Sequence, residues 1–396
     1  MSTDPSPNKQ AAMPTLLFVV NVAWFFCMHR LHLARAAQAA GFNVHVATSP
    51  DTPEHMELIA RAGLHGHELE IQRGRGSVGE ELRLTSSLYR LYRRIRPDIV
   101  HHVTIKPVLC GTLAARLAGV PAIINAMSGL GFVFTAADRW AEARRFGVTS
   151  AYRILFANRA VRVIFENNDD LSMFTRRGIV SPRQAVLIRG AGVDVERYRV
   201  PSRRDMDRLL VVLPARMLWD KGVREFCAAA AIVRAAGVDA RFALVGGLDP
   251  QNPSAIDESW LREQEQLGAI EWWGHQTDMA TVYAQASVVC LPSYREGLPT
   301  VLLEAAAAGC ALVATDVPGC REVVLDGKTG LRVPPRDSAG LAQALRTMLL
   351  DSDLRVHLSE AAHAYVNREF SARIVQSSTI ALYEQLLKGN SYSDIS

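Results

Sequence analysis

Two kinds of hydrophobic pattern alternate along the chain. Short continuous apolar runs, which are typical of buried parallel strands, are followed by stretches with helical periodicity. In the first half, the runs that predict strands are residues 15–20, 43–48, 99–103, 122–126, 161–166 and 185–188. Helical periodicity is found at 31–40, which ends at Gly41, and at 84–94, which ends before Pro97. This alternation predicts a parallel sheet covered by helices.

The same alternation restarts after a polar stretch at 193–208, so a domain boundary is expected near residue 200. Strands are predicted at 209–214, 241–245, 270–273, 288–291 and 311–315, and helices at 223–236, 279–286, 299–308, 339–350, 353–369 and 371–387. A chain of 396 residues is also long for one domain. We therefore predict an α/β protein with two doubly wound, Rossmann-like lobes.

The predicted domains are residues 1–198, residues 199–370, and a last helix with its tail at 371–396. That helix could pack on either lobe, and we assign it to the first. Ligands of doubly wound sheets bind at the carboxyl ends of the strands, so two such lobes facing each other would form a binding cleft.

Composition excludes several classes of protein. The chain is 49% hydrophobic and 21% charged, which is typical of a globular protein and unlike a collagenous, disordered or disulfide-stapled chain. The longest apolar stretch, 15–28, is interrupted by Asn21 and is shorter than the roughly 20 residues of a membrane span. A secretory signal is the alternative, against which Asp4 and the absence of a small-residue cleavage site before His29 both count. Six cysteines without a CxxC pair favour reduced thiols and a cytoplasmic protein.

The segment 293–304 carries the sharpest chemical signal, with the sequence Ser-Tyr-Arg-Glu-Gly-Leu-Pro-Thr-Val-Leu-Leu-Glu. Pro299 suits a first helical turn and Gly309 a C-cap, so a tight loop followed by a helix is expected. Backbone N–H groups from Gly297 to Thr300, together with the helix dipole, would bind a phosphate. Two carboxylates flank that site. The alternative is that Glu296 caps the helix while Glu304 lies on its solvent face.

This segment resembles the Glu-x7-Glu signature of the retaining GT-B glycosyltransferases, and with its surroundings it resembles glycosyltransferase family 4. The resemblance implies that Glu296 contacts the donor sugar and that Glu304 contacts the nucleotide ribose. It also implies donor contacts from the loop residues Gly297, Leu298, Pro299 and Thr300.

A second match is the segment 213–222, Leu-Pro-Ala-Arg-Met-Leu-Trp-Asp-Lys-Gly. In the family an arginine and a lysine here clamp the donor diphosphate, which implies this role for Arg216 and Lys221. Lys221 is one of only five lysines, against 39 arginines. Further donor-side matches are Gly246, Gly247, Trp273, Gly274 and His275.

The first lobe resembles a narrower branch, the bacterial transferases that build O-antigen, capsule or glycoprotein oligosaccharides on undecaprenyl diphosphate. The matching segments are 21–30, 102–107 and 125–131. They imply acceptor contacts from Asn21, Trp24, His29, Arg30, His102, Thr104 and Lys106. One departure is Ser128, which occupies the place where many family members have a histidine that reaches the donor sugar. Serine can donate a hydrogen bond there but cannot hold a proton near neutral pH.

No metal and no cofactor is expected beyond the nucleotide-sugar substrate. An Asp-x-Asp motif at 205–207 lies between the lobes rather than at a strand end, and His65, His67, His101 and His102 lack companions at zinc spacing. A dinucleotide fingerprint near 128–131 is incomplete.

Charge is distributed unevenly between the halves. Residues 1–200 hold 25 Lys and Arg against 16 Asp and Glu, a net of +9, and the remaining residues hold 19 against 24, a net of −5. Cations and aromatic residues mix at 89–96 and 140–162, a surface suited to anionic lipid and to a diphosphate-linked acceptor. The alternative is that these are ordinary solvated helix faces. Nothing resembles a nucleic-acid motif.

The sequence thus predicts a retaining, metal-independent transferase. It would move a sugar, taken to be an N-acetylhexosamine, from a UDP-sugar to a polyprenyl-diphosphate-linked saccharide at the inner face of the plasma membrane. The alternatives are a GDP-mannose or other hexose transferase and, in another class, a non-catalytic sugar-nucleotide-binding subunit. Glu296, Glu304, Arg216 and Lys221 together count against the last.

Overall fold

Two parallel sheets organise the chain. The computed structural model describes residues 13–71, 77–127, 141–198 and 208–391, without the side chains of 141–146, 390 and 391. The first sheet has the strand order β3-β2-β1-β4-β5-β6-β7 and the second the order β10-β9-β8-β11-β12-β13. The register, for example Val20 beside Val103 and Val288 beside Val211, is parallel in every pairing between these named strands that the structure describes. Two doubly wound α/β sheets, as predicted, are therefore confirmed.

The strands of the first sheet are β1 (Thr15–Val20), β2 (Asn43–Thr48), β3 (His65–Glu68), β4 (Ile99–Val103), β5 (Ala122–Met127), β6 (Val161–Phe165) and β7 (Ala185–Leu187). Those of the second are β8 (Leu209–Pro214), β9 (Ala240–Val245), β10 (Glu271–Trp272), β11 (Val288–Leu291), β12 (Ala311–Thr315) and β13 (Leu331–Val333).

The helices up to residue 198 are α1 (Ala23–His29), α2 (Leu31–Ala39), α3 (Pro53–Arg61), α4 (Val78–Ile95), α5 (Thr112–Ala118), α6 (Ala141–Phe156), α7 (Asn168–Arg176) and α8 (Val195–Tyr198). Later helices are α9 (Val223–Ala235), α10 (Glu258–Gln266), α11 (Met279–Gln285), α12 (Thr300–Ala307), α13 (Cys320–Val323), α14 (Ser338–Leu350), α15 (Ser352–Phe370) and α16 (Ala372–Ser391). Two short turns complete these elements, a π-helical turn at Pro107–Gly111 and a 3-10 turn at Trp219–Lys221.

The second sheet is buried on both faces. Successive residues of β8 point to opposite sides, so Leu210 and Val212 join one hydrophobic cluster while Val211 and Leu213 join the other. This explains why its strands are continuous apolar runs in the sequence instead of alternating ones.

Helix α12 contacts this sheet through small side chains. Its residues Ala305, Ala306 and Ala307 are buried in the same cluster as β12. Alanine combines the highest helix propensity with the smallest side chain that has a Cβ, so it permits a short helix that packs close to the sheet.

Contacts divide the described residues into two compact units. The first draws on Met1–Ala126, Ile154–Val163 and Thr379–Ser396, and the second on Met127–Arg153 and Ile164–Ser378. Each unit combines separate segments of the chain, whereas the predicted domains are continuous segments. Residues after β6 group with the second unit because Asn167, Asp170 and Arg189 bond to the segment 295–322.

No helix in the described part of the chain has both the length and the hydrophobicity that a membrane span requires. The apolar stretch 15–28 instead divides at Asn21 into β1 and α1.

Candidate active site in the second unit

Close backbone approaches at two glycines bring three loops of the second unit together. A Cβ on Gly222 would lie 2.1 Å from the carbonyl oxygen of Pro292, and one on Gly246 would lie 1.7 Å from that of Ala215. No side chain fits at either position. The loop after β8 is therefore held between the loops after β9 and β11, its neighbours in the sheet.

Lys221 and Glu296 meet where these loops converge. Lys221 Nζ donates to Glu296 Oε1 at 2.6 Å, and the two side chains are 19% and 12% exposed. The backbone N–H of Tyr294 donates to the carbonyl of Asp220 at 2.9 Å, which ties the same two loops a second time. A cation and a carboxylate are thus fixed side by side at the carboxyl ends of β8 and β11.

Arg216 lies on the same loop as Lys221 and is more open to solvent. Its Nη1 is 2.5 Å from Asp249 Oδ2, and its side chain is 58% exposed. Both predicted phosphate-binding cations therefore have carboxylate partners, and both lie at the carboxyl end of the sheet.

The loop after β11 presents free backbone donors. In the described residues, the N–H groups of Gly297, Leu298 and Thr300 have no protein acceptor. Pro299 occupies the N-cap position and α12 begins at Thr300, one residue later than predicted. Unpaired N–H groups at the start of a helix are suited to bind an anion.

Glu304 lies one turn into α12 and is half-buried. Tyr283 donates its hydroxyl to Glu304 Oε2 at 2.9 Å, and Tyr198 donates to the same carboxylate. Burial raises the pKa of Glu304, and the two tyrosine hydrogen bonds act in the opposite direction. Sequence reasoning missed both tyrosines, because each lies on a separate helix and nothing in its own motif marks it.

The remaining donor-side residues lie beside the loop after β9. Gly246 donates its N–H to the Gly274 carbonyl at 2.8 Å, and a Cβ on Gly247 would lie 3.4 Å from the Cβ of His275. Trp273 donates through its indole to Glu271 at 2.9 Å, while the His275 side chain is exposed. The structure thus places the predicted Gly246, Gly247, Gly274 and His275 next to one another.

In the first unit, two predicted acceptor residues lie at adjacent strand ends. Asn21 follows β1 and Thr104 follows β4, which pairs with β1. Asn21 Oδ1 and Thr104 Oγ1 are buried, and neither has a hydrogen-bond partner among the described residues. Thr104 has φ = 77°, which is an outlier for a β-branched residue. Such strain and unsatisfied groups are typical of functional positions.

Trp24 and His29 lie on α1, and Arg30 follows it. Phe25 packs against the His29 ring at 4.6 Å, and Trp24 is 37% exposed. Burial, with the nearby charges of Arg30 and His32, lowers the pKa of His29 to about 4. His29 is therefore neutral at physiological pH, and Arg30, which is 5% exposed, carries the charge in this region.

His102 has a different environment from the other predicted acceptor residues. It is fully buried, its Nε2 is 2.9 Å from the Tyr92 hydroxyl, and its Nδ1 is 2.8 Å from Asn125 Oδ1. Both ring nitrogens are engaged inside the first unit. Lys106 is half-buried before the π-helical turn, and the predicted Ser128 lies outside the described residues.

Among the described residues, no group of three His, Cys, Asp or Glu side chains is placed to hold a metal ion. The Asp-x-Asp motif at 205–207 lies outside those residues.

Comparison with known proteins finds two family models that match the chain. A family model described as "Glycosyl transferases group 1" matches residues 208–351, and one described as "Glycosyl transferase 4-like" matches residues 15–167. The Campylobacter jejuni N,N'-diacetylbacillosaminyl-diphospho-undecaprenol alpha-1,3-N-acetylgalactosaminyltransferase is 28% identical over 313 residues, which cover 76% of this chain and 80% of that protein.

An Escherichia coli relative, the UDP-Gal:alpha-D-GlcNAc-diphosphoundecaprenol alpha-1,3-galactosyltransferase, is 24% identical over 74% of this chain and 76% of its own. The solved structure of Anabaena Alr3699/HepE in complex with UDP and glucose superposes with a TM-score of 0.75 at 18% identity, over 94% of this chain and all of that one. On fold, motifs and matched domains together, the chain belongs to the glycosyltransferases of the GT-B fold, in the family 4 group.

Proposed function

We propose that the protein is a retaining transferase that moves an N-acetylhexosamine from a UDP-sugar to a polyprenyl-diphosphate-linked saccharide during surface glycan assembly. The observation that carries the donor part is the convergence of Lys221, Glu296 and the free N–H groups of Gly297, Leu298 and Thr300 at one edge of the second sheet. A cation and free N–H donors suit a diphosphate, and a carboxylate suits sugar hydroxyls.

In this proposal the second unit stabilises the leaving diphosphate without a metal ion. Negative charge develops on the phosphate as its bond to the sugar breaks. Lys221, Arg216 and the N–H groups at the start of α12 are fixed donors that meet this charge. Glu296 contacts the sugar, and Glu304 contacts the ribose. The acceptor proton passes to the leaving phosphate.

The substrate classes are supported by the relatives. The names of the two undecaprenol-linked enzymes above combine a lipid diphosphate acceptor with transfer of N-acetylgalactosamine in one case and galactose in the other. UDP is named as the donor nucleotide of the second and as a ligand of the Anabaena protein. A hexose such as galactose, or mannose from GDP-mannose, remains the alternative donor sugar.

The acceptor is assigned to the first unit. Asn21 and Thr104 offer buried polar atoms that lack a hydrogen-bond partner in the described part of the chain, and Trp24, three residues after Asn21, offers an exposed ring. We place the protein in the cytoplasm, peripherally on the inner face of the plasma membrane.

Surface chemistry of the first unit supports lipid contact. Arg90, Arg93 and Arg94 are exposed on α4. Leu113, Leu117 and Ile154 are exposed apolar side chains nearby in the fold, since α4 packs on α5 and Arg116 of α5 donates to the Ile154 carbonyl at 2.6 Å. Cations around apolar side chains are suited to an anionic membrane surface.

A nucleotide-release screen tests this function. UDP-, GDP- and dTDP-sugars are incubated with the protein, with and without polyprenyl diphosphate saccharides and with EDTA. The expected result is UDP release from a UDP-N-acetylhexosamine that depends on the lipid-linked acceptor and is insensitive to EDTA. Release from GDP-mannose alone would favour the alternative donor, and no release with any donor would contradict the proposal.

A further inference from the structure

Asn167 bonds to two separate parts of the second unit. Its side chain is 1% exposed, and it forms the N-cap of α7. Its Oδ1 accepts from the backbone N–H of Asp170 at 2.8 Å, which satisfies the helix end. Its Nδ2 donates to the carbonyl of Gly297 at 2.8 Å and to Asp170 Oδ2 at 3.0 Å. Only the side-chain oxygen of Asn167 is needed to cap α7. The helix cap therefore does not account for the hydrogen bond from Nδ2 to the Gly297 carbonyl.

The Gly297 carbonyl belongs to the same peptide unit as the N–H of Leu298. In a planar trans peptide the C=O and the N–H point in opposite directions. A bond that holds the carbonyl towards Asn167 therefore directs the Leu298 N–H away from Asn167. That N–H is one of those without a protein acceptor in the described residues.

Two glycines pack against the same peptide. A Cβ on Gly319, whose φ is +81°, would lie 2.5 Å from the Gly297 carbonyl oxygen. A Cβ on Gly190 would lie 2.7 Å from Cδ2 of Leu298. Close packing therefore restrains the peptide both at its carbonyl and at the following side chain.

Asp170 supports the residue before Glu296. Its carboxylate, 3% exposed, forms an ion pair with Arg295. The first turn of α7 therefore contacts the loop on both sides of Glu296, through Arg295 before it and Gly297 after it.

We propose that Asn167 is a positioning residue for the donor: it orients the Gly297–Leu298 peptide so that the Leu298 N–H binds the distal phosphate of a nucleoside diphosphate. Asn167 itself touches no substrate. The inference rests on the proposed function, because it needs a diphosphate at the start of α12. It predicts that replacing Asn167 weakens binding of the distal phosphate and leaves binding of the nucleoside unchanged.

The test compares UDP with UMP by calorimetry in the full-length chain. Asn167→Ser keeps an oxygen that caps α7 but is too short to reach Gly297. The variant should bind UDP about tenfold more weakly, the scale of one charge-assisted hydrogen bond, and should bind UMP with unchanged affinity. Asn167→Asp, which keeps the size but turns a carboxylate oxygen towards the Gly297 carbonyl, should lose at least as much.

The matched control is Asp337→Ser, a second N-cap exchange in the same unit. Asp337 accepts from the Gly340 N–H at 2.9 Å at the start of α14, and its exchange should change neither affinity. Equal loss of UDP and UMP binding in Asn167→Ser, or no loss of either, would overturn the inference while the proposed function stands. A parent chain that binds none of UDP, GDP and dTDP would contradict the proposed function, and the inference would fail with it.

Discussion

Lys221 Nζ and Glu296 Oε1 lie 2.6 Å apart, and this ion pair joins the two loops that the family resemblance assigns to different parts of the donor. A diphosphate offers Lys221 a second anionic acceptor, so donor binding would redistribute the hydrogen bonds of this pair. Removal of either partner also leaves a largely buried charge uncompensated.

The first prediction concerns the two cations of the loop after β8. Lys221→Ala and Arg216→Ala should each lower kcat/KM for sugar transfer by roughly 2–4 kcal/mol in transition-state stabilisation, because each removes a fixed donor at developing negative charge. Lys221→Ala should have the larger effect, since Lys221 is the less exposed of the two. Steady-state kinetics with the donor found in the screen measures both.

Arg346→Ala is the control for that prediction, because Arg346 is exposed on α14 and makes no ion pair within the described residues. It should retain parental activity. If Lys221→Ala and Arg216→Ala both kept parental turnover, the proposed binding of the donor diphosphate by these two residues would be contradicted.

The second prediction separates the two glutamates. Glu304→Ala should weaken binding of the bare nucleotide, because it removes the proposed ribose acceptor and leaves the Tyr283 hydroxyl without its partner. Glu296→Ala should leave nucleotide binding near normal and abolish sugar transfer. Calorimetry with UDP beside a transfer assay measures both, and an equal loss of nucleotide affinity in the two variants would contradict these roles.

The third prediction is salt-sensitive binding to anionic vesicles. Each well-placed cation contributes on the order of 1 kcal/mol near an anionic surface, and the contribution fades as salt shortens the Debye length. Vesicle binding should therefore fall sharply from low to high salt, and exchange of four first-half arginines for glutamine should reproduce the high-salt result at low salt. The four are Arg93, Arg94, Arg144 and Arg145.

The matched control exchanges four exposed arginines from the second half of the chain, which should leave vesicle binding unchanged. They are Arg224, Arg234, Arg262 and Arg346. Donor hydrolysis in solution should be similar in both quadruple variants. If the first set binds vesicles as well as the parent, these helix faces are ordinary solvated surfaces.

The fourth prediction is a loss of stability in acid that depends on His102. Burial lowers the pKa of His102 from the usual 6.5 to about 4, so the unfolded chain takes up the proton first. The stabilisation is present above pH 6.5 and is lost as the pH falls towards 4, a change on the order of 3 kcal/mol. Unfolding free energy measured against pH should show this slope.

His102→Gln should make that slope less steep, because an amide can bond to Tyr92 and Asn125 without titrating. The part of the slope that other histidines with a lowered pKa, such as His29, contribute should remain. His357→Gln, at an exposed position, serves as the control and should leave the slope unchanged. If the slope were identical in His102→Gln and in the parent, groups other than His102 would be responsible for the acid sensitivity.

Long apolar strands were predictable because both faces of the second sheet are buried, and β8, β11 and β12 occur at the predicted residues. The edge strands β3 and β13 were not predictable from the sequence. His65–Glu68 is polar, and Leu331–Val333 has only three residues, so neither shows a strand period. These residues adopt a strand conformation because they pair with a neighbouring strand.

The residues of the candidate site likewise comprise some that the sequence predicts and some that it does not. Glu296 and Lys221 were identified because each lies within a contiguous motif of its own. Asn167, Tyr198 and Tyr283 were not, since their relation to the motif exists only after folding. His102 was assigned to the acceptor by its motif, yet the structure gives both its ring nitrogens to Tyr92 and Asn125, which a linear pattern does not reveal.

The alanine-lined contact of α12 with the second sheet bears on how this enzyme could acquire a new donor. Ala305, Ala306 and Ala307 are buried in the cluster that also holds β12, so close packing restrains α12 before a ligand binds at its N-terminus. The same rigidity means that a larger side chain at Ala305, Ala306 or Ala307 would displace Glu304 and the phosphate donors together. Changes of base preference are therefore expected to arise in the loops after β9 and β10, while α12 remains a fixed reference for the nucleotide.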